Sequence, residues 1–201
     1  MQQKIISFQP YTQWETGIRS SASACGPAAM AALIRFWEER IAARGPQTSF
    51  ARLPGDPAQA VNRLYAAYGG TPLGMGAPLL ARGLRRHLGA ALREGGLAGR
   101  VQARRLRGFD AYCGEIDAGR LVAVKFDKWF ALRWFGRYAF DYHWTVGCGY
   151  RIDDAGRAWL IVHDAGTRYK DGTYAASRER LIEYAPNRSV LTMVALTIEG
   201  V

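Results

Sequence analysis

Three side chains of this 201-residue chain could do covalent chemistry together: Cys25, His143 and Asp164. Cys25 stands directly before Gly26-Pro27 and a helix-forming run. A thiol at a helix N-terminus faces unpaired main-chain N–H groups and the positive end of the macrodipole, and both favour the nucleophilic thiolate. A free cysteine is as commonly a buried structural residue, so placement alone leaves both roles open. His143 sits near the start of the run 142–150, where Trp144, Val146, Cys148 and Tyr150 alternate with His143, Thr145, Gly147 and Gly149. Period-two alternation puts His143 on the polar or small face, away from the core set, where a general base is usefully placed. Asp164 closes the next apolar run, 159–163, ahead of Ala165-Gly166. A carboxylate there could hold the imidazole and complete a nucleophile–base–orienter set. The plainer alternative is an Asp that caps its own turn.

These residues need a helix to carry the thiol and a sheet to carry the base and acid. From 26 to 41 the apolar residues Met30, Leu33, Ile34, Trp37 and Ile41 form the stripe of a core-facing helix, with Pro27 in the first turn and Gly45-Pro46 closing it. A second helix is expected over 56–68, capped by Asp56 and stopped by Gly69-Gly70. A third spans 78–92 with Leu80, Leu84, Leu88 and Leu92 on one face, and a short one covers 109–117. The lead-in 1–24 reads as extended and polar. Strands are expected at 121–126, 142–151, 158–163 and 189–198, the middle two joined as a hairpin by Asp153-Asp154-Ala155-Gly156, with a short helix near 177–184. Helices first and an antiparallel sheet afterwards is an α+β layout. We expect a single domain over 1–201, mainly helical to 118 and mainly β from 119.

Composition narrows the class. A chain this long buries enough surface to need neither disulfide nor metal. Three cysteines, at 25, 113 and 148, cannot complete a disulfide framework, and no CxxC pair occurs. The hydrophobic share of 49% with 22% charged residues is that of a globular protein. No apolar run reaches the roughly 18–20 residues of a membrane span, and no signal-peptide apolar region is visible, so a cytoplasmic location is expected unless a signal has been removed. The net charge of +10 is carried mostly by arginine, since lysine stands only at 4, 125, 128 and 170. Such charge bears on solubility and nonspecific attraction more than on a site.

The stretch with Gln13-Trp14, Cys25-Gly26-Pro27-Ala28-Ala29-Met30, His143-Trp144-Thr145-Val146-Gly147-Cys148-Gly149-Tyr150 and Val162-His163-Asp164-Ala165-Gly166 resembles the papain-like cysteine peptidases. Within them it is most similar to the bacterial bacteriocin-leader-peptidase-like branch, and Gly119-Arg120-Leu121-Val122 resembles that branch's strand entry. The resemblance covers nearly the whole chain. It implies a papain-like fold with the nucleophile helix packed on the antiparallel sheet, Cys25 as nucleophile, His143 as base and Asp164 as orienting acid. Gln13 would be an oxyanion donor beside the Cys25 main-chain N–H, with Gln9 as the fallback. Gly26 and Trp144, next to nucleophile and base, are the substrate-contact candidates. Two features depart from the family pattern. Ala165 stands where relatives carry Pro, and Gln13 lies farther upstream of Cys25 than usual. They leave open a non-catalytic peptide-binding module on the same fold, and the papain-like core also supports acyl transfer to an amine.

Other candidates weigh less. His143, His163, Cys148 and Asp164 offer no zinc-ligand pair at useful spacing, because odd-numbered separations in a strand face opposite ways. No metal and no cofactor is expected. The aromatic segment 126–144, interleaved with Lys128, Arg133 and Arg137, should border the cleft as local core, apolar subsite, dimer surface or membrane-interface segment. The arginine-rich stretch 82–107 carries no named nucleic-acid motif and reads as a solvated helix face. The expected partner is a peptide or protein substrate, cleaved at an amide bond through a Cys25 thioester.

Overall fold

The computed structural model describes residues 1–43 and 49–200; the expected Gly45-Pro46 helix stop lies outside the described residues. Nine strands and five α-helices follow one another as β1 (Gln2–Ile5), α1 (Cys25–Ala42), α2 (Pro57–Ala67), α3 (Ala77–Glu94), β2 (Arg100–Leu106), α4 (Phe109–Asp117), β3 (Val122–Asp127), β4 (Tyr142–Ile152), β5 (Ala158–His163), β6 (Thr167–Arg168), β7 (Tyr174–Ala175), β8 (Glu179–Glu183), α5 (Tyr184–Asn187) and β9 (Leu191–Glu199), among the described residues. Seven strands form one antiparallel sheet in the order β2-β9-β3-β4-β5-β8, with β1 paired to the far half of β4. The short β6 and β7 pair separately. The α+β layout expected from the sequence is the one observed.

The long helices and the hairpin stand where expected. Asp56 accepts the Gln59 N–H at 2.7 Å and caps α2. Three segments differ. The polar lead-in contributes β1, whose register runs from Gln2 opposite Ile152 to Ile5 opposite Gly149. The second half of the arginine-rich stretch is not a helix face but β2, an edge strand paired to β9. Its exposed arginines blunt an edge that would otherwise recruit another chain. The helix expected near 177–184 is strand β8 followed by the single turn of α5. Pairing with β5 supplies a ladder that local propensity did not announce.

The sheet is covered on both faces. The buried residues of α1, α2 and α3 pack on one face with Ala123, Trp144, Val146 and Cys148. On the other, α4 brings Tyr112 and Ile116 against Val122, Val124, Phe126, Tyr150 and Leu160. Helix α1 lies deep within the first layer, with 14 of its 18 residues buried. The five-residue stripe expected from sequence is therefore part of a helix enclosed nearly all round. Its Glu38 is fully buried, accepts the Leu53 N–H at 2.9 Å and faces His87 Nε2 at 3.1 Å, which ties the α1–α2 connection and α3 to α1.

Strand β4 is buried on both faces too, so the small face of the run 142–150 is not an open cleft. Tyr112 fills the space over Gly147 and donates its hydroxyl to the carbonyls of Gly149 and Ile161 at 2.8 and 3.2 Å. A bulge between Gly147 and Gly149 then reverses the alternation, which is why Tyr150 leaves the set of Trp144, Val146 and Cys148 for the opposite core. A Cβ at position 147 would lie 2.6 Å from the Tyr112 hydroxyl oxygen and 2.7 Å from the ring. Gly147→Ala is accordingly expected to lower unfolding free energy by about 1–3 kcal/mol, an overpacking cost readable by urea denaturation.

Candidate active site

Cys25 is the first residue of α1, entered through a 3-10 turn at Ser21–Ser23. The N-cap residue, Ala24, has no side-chain cap, so the first turn offers its N–H groups to whatever lies beside it. Contact with β4 sets the helix position. A Cβ on Gly26 would come within 2.8 Å of Met75 Cβ and 3.2 Å of Trp144 Cδ1. The Trp144 indole donates to the Met75 carbonyl at 2.8 Å, and the Tyr142 hydroxyl donates to the same oxygen at 3.2 Å. Gly26 and Trp144, the substrate-contact candidates from sequence, are thus buried scaffold. Gly26 lets the helix end close on the strand, and Trp144 clamps Met75.

This packing leaves Cys25 only 4% exposed. Burial raises its pKa above the ordinary thiol value, and that effect outweighs the main-chain N–H groups of Trp144 and Gly26 and the charge of Lys125, which all favour the thiolate. A helix N-terminus is therefore not enough here to ionise the thiol at rest.

His143 precedes the residue whose amide acts on the sulfur. Its Nε2 accepts the Ala165 N–H in a long 3.4 Å contact, and its ring lies 4.8 Å from that of Phe140. Burial lowers its pKa to about 4; Asp164 pulls the value up and Arg180 pushes it down. Asp164 is itself buried, with Oδ1 accepting the Gly166 and Arg178 N–H groups at 2.9 and 3.3 Å. Its Oδ2 accepts from Arg180 Nε at 2.8 Å. Among the described residues no hydrogen bond joins His143 to Asp164 or to Cys25. Asp164 therefore caps its own turn, as its plainer sequence reading had it, while remaining close enough to act on His143 electrostatically.

Gln13 joins the two halves of the site. Its main-chain N–H donates to Ala165 O at 2.8 Å, and its Nε2 donates to Ser21 O at 2.9 Å, in the turn that leads into Cys25. Its Oε1 is buried with no hydrogen-bond partner among the described residues. Gln9 is exposed.

Sequence reasoning missed a buried ion pair on the thiol's side of the sheet. Lys125 lies opposite Trp144 in the β3–β4 register and shares the α1-facing parity of Leu121 and Ala123. Its ammonium donates to Asp127 Oδ2 at 2.5 Å and lies 4.4 Å from the centre of the Tyr142 ring. Tyr142 is held at a pKa of about 12 by burial and then by the charges of Cys25 and Asp127. The signal was present as a lone lysine in the otherwise apolar strand 121–126. Among the described residues no group of three or more His, Cys, Asp or Glu side chains is placed to hold a metal.

Residues 5–187 match the Peptidase_C39 like family. The chain belongs to that family. Its fold is papain-like: a structure of the recombinant stem bromelain precursor superposes with a TM-score of 0.51 at 13% identity, covering 96% of this chain and 67% of that one. A structure of the bromelain protease from Ananas comosus in complex with the E64 inhibitor gives 0.41 at 12% identity, covering 94% of each chain. No curated protein matches the sequence. The comparisons thus bear on family and fold, and the roles of single residues rest on the geometry of this Peptidase_C39-like chain.

The His143 imidazole is expected to titrate near 4 by NMR, and Arg180→Gln to raise that value by removing a cation. A histidine held neutral in the fold and titrating near 6.5 when unfolded draws protons to the unfolded chain. Its contribution to stability is complete above about 6.5 and falls away as pH drops toward 4, which thermal melts across that window would read. Lys125→Met should raise the Cys25 thiol pKa and Asp127→Asn lower it, read from thiolate absorbance near 240 nm.

Proposed function

We propose that this chain is a cysteine peptidase or amidase in which Cys25 is the nucleophile, His143 the base and Asp164 the acid that biases the imidazole. The observation that carries the proposal is a thiol at the α1 N-terminus, under the Trp144 main-chain N–H, one residue along β4 from the imidazole. In the resting site thiol and imidazole are both neutral, because burial disfavours each charge. General-base chemistry follows from that state. As Sγ bonds to the substrate carbonyl carbon, the thiol proton passes to the unprotonated ring nitrogen of His143, which gives up its long contact with the Ala165 N–H, and the carbonyl electrons move onto oxygen. His143 then gives the proton to the leaving nitrogen, the C–N bond breaks and a thioester remains. Water, deprotonated by His143, attacks that thioester; the C–S bond breaks and the proton returns to sulfur. An amine in place of water would give acyl transfer.

The developing oxyanion lies where the Cys25 main-chain N–H can donate to it. Gln13 Nε2 would be the second donor only after leaving Ser21 O. Lys125 assists from the α1 side by favouring negative charge on sulfur.

One observation favours a second function, a peptide-binding module without chemistry: Asp164 is already satisfied by Arg180 and two main-chain N–H groups. Mass spectrometry of a mixed peptide library after incubation separates the two. With chemistry, wild-type protein yields cleavage or transfer products, Cys25→Ala removes them, and His143→Ala reduces the rate by about 100-fold or more. The acid limb of kcat/KM falls near 4 rather than 6.5, since only the neutral imidazole is a base. Peptide retention without products, equal in wild type and Cys25→Ala, would establish the binding module instead. Products that persist in Cys25→Ala would contradict both.

A further inference from the structure

Between β3 and β4 the chain makes an excursion over 128–141 that leaves the sheet beside Asp127 and returns at Tyr142. Its residues are sorted by an uncommon rule. Phe126 and Phe140 pack together at 5.1 Å and anchor the base in the core. Beyond them Trp129, Phe130, Leu132, Trp134 and Phe135 all face solvent, with Phe135 at 93% and Phe130 at 77% exposure. Surface hydrophobics scattered singly need no explanation, but five within seven residues form a patch. Leu132 is the one non-glycine residue with positive φ among the described residues, at 54°, a conformation that bulky side chains seldom adopt without cause. The two indoles lie 5.5 Å apart, so the patch is an organised surface.

Charge indicates what covers it. From 128 to 140 the segment carries Lys128, Arg133 and Arg137 and no acid. Lys128 pairs with Asp141 at 2.6 Å, while Arg133 and Arg137 are exposed and have no ion-pair partner among the described residues. Apolar aromatic tips beside unpaired guanidinium groups match the layering of a lipid surface, where Trp belongs at the headgroup level and cations meet anionic headgroups. A protein partner that filled the patch would need acidic groups placed opposite both arginines, whereas an anionic bilayer presents them everywhere. No helix among the described residues is long and apolar enough to cross a membrane, so any attachment here lies on the surface. We propose that the excursion 128–141 docks the protein on anionic membranes, inserting Phe130, Trp134 and Phe135 between headgroups while Arg133 and Arg137 contact lipid phosphates. Because the excursion springs from Asp127 and Tyr142, docking sets the candidate active site next to the bilayer, where membrane-associated peptides would reach it.

Co-sedimentation of the full chain with vesicles tests this, comparing pure phosphatidylcholine with a 70:30 mixture of phosphatidylcholine and phosphatidylglycerol. Binding is expected to the anionic vesicles and to be weak on the neutral ones. Trp134→Ser with Phe135→Ser should reduce partitioning at least tenfold, and Arg133→Gln with Arg137→Gln by roughly fivefold for each cation removed. Exposed α3 arginines provide the control: Arg85→Gln with Arg86→Gln should cost much less than the loop pair. Circular dichroism of each variant confirms that the fold persists. Three outcomes would overturn the proposal: no binding to anionic vesicles, binding that the aromatic pair leaves unchanged, or an equal loss from the α3 pair. A wild-type dimer that Trp134→Ser with Phe135→Ser turns into a monomer, without vesicle binding, would assign the patch to a second copy of the chain and overturn it likewise.

Discussion

Gly26 has no side chain, and the first turn of α1 therefore closes on Met75 and Trp144 with no space left between them. The position of the thiol, its burial and its contact with the edge of β4 all follow from this closure. It is maintained from three directions. The Met75 carbonyl gathers donors from both Tyr142 and Trp144. The body of α1 is enclosed by α2, α3 and the sheet. Gln13 ties the turn ahead of Cys25 to the turn that follows β5. A larger residue at position 26 would have to move the helix end or the strand, and either shift separates sulfur from the Trp144 amide.

The same closure determines the electrostatics. Packing strips much of the solvent from both the thiol and the imidazole, so charge on either is disfavoured at rest, and the helix dipole with its N–H groups does not reverse that. Charge is instead held nearby in satisfied pairs, Lys125 with Asp127 on one side and Arg180 with Asp164 on the other. Such an arrangement suits a site that makes charge only when substrate arrives, because fixed dipoles and buried pairs need little reorganisation at that moment. It also gives Arg180 leverage over the base, since the cation that steadies Asp164 opposes protonation of His143.

Much of this was legible in the sequence because it is written in local chemistry. Cys25-Gly26-Pro27 announces a helix start, the 142–150 run announces a strand, and Asp56 announces a cap. The α+β layout followed from the order of those signals, and its papain-like character from the resemblance of the motifs around Cys25, His143 and Asp164. What was not legible depends on partners distant in the chain. β1 and β2 are strands because β4 and β9 lie ready to pair with them, not because Gln2–Ile5 or Arg100–Leu106 favours that state. The bulge at Cys148 moved Tyr150 across the sheet, and Tyr112 filled a face whose glycines suggested open space. Lys125 stood in plain view in strand 121–126, but only pairing with β4 placed it on the side of the thiol. Burial likewise reversed the expected direction of the Cys25 pKa, since a helix position says nothing of how much protein is packed over it.

Site-resolved alkylation by chloroacetamide between pH 4.5 and 9.5, followed by mass spectrometry in wild type and His143→Ala, tests the coupling of Cys25 to His143 most directly. Cys113 and Cys148, both pushed up to about 12, serve as internal references. A thiol that hands its proton to a neutral imidazole should react at a rate nearly independent of pH between about 5 and 7, and that plateau should vanish in His143→Ala. A Cys25 rate that climbs about tenfold per pH unit across the same range, equally in both proteins, would show an isolated buried thiol and contradict the account.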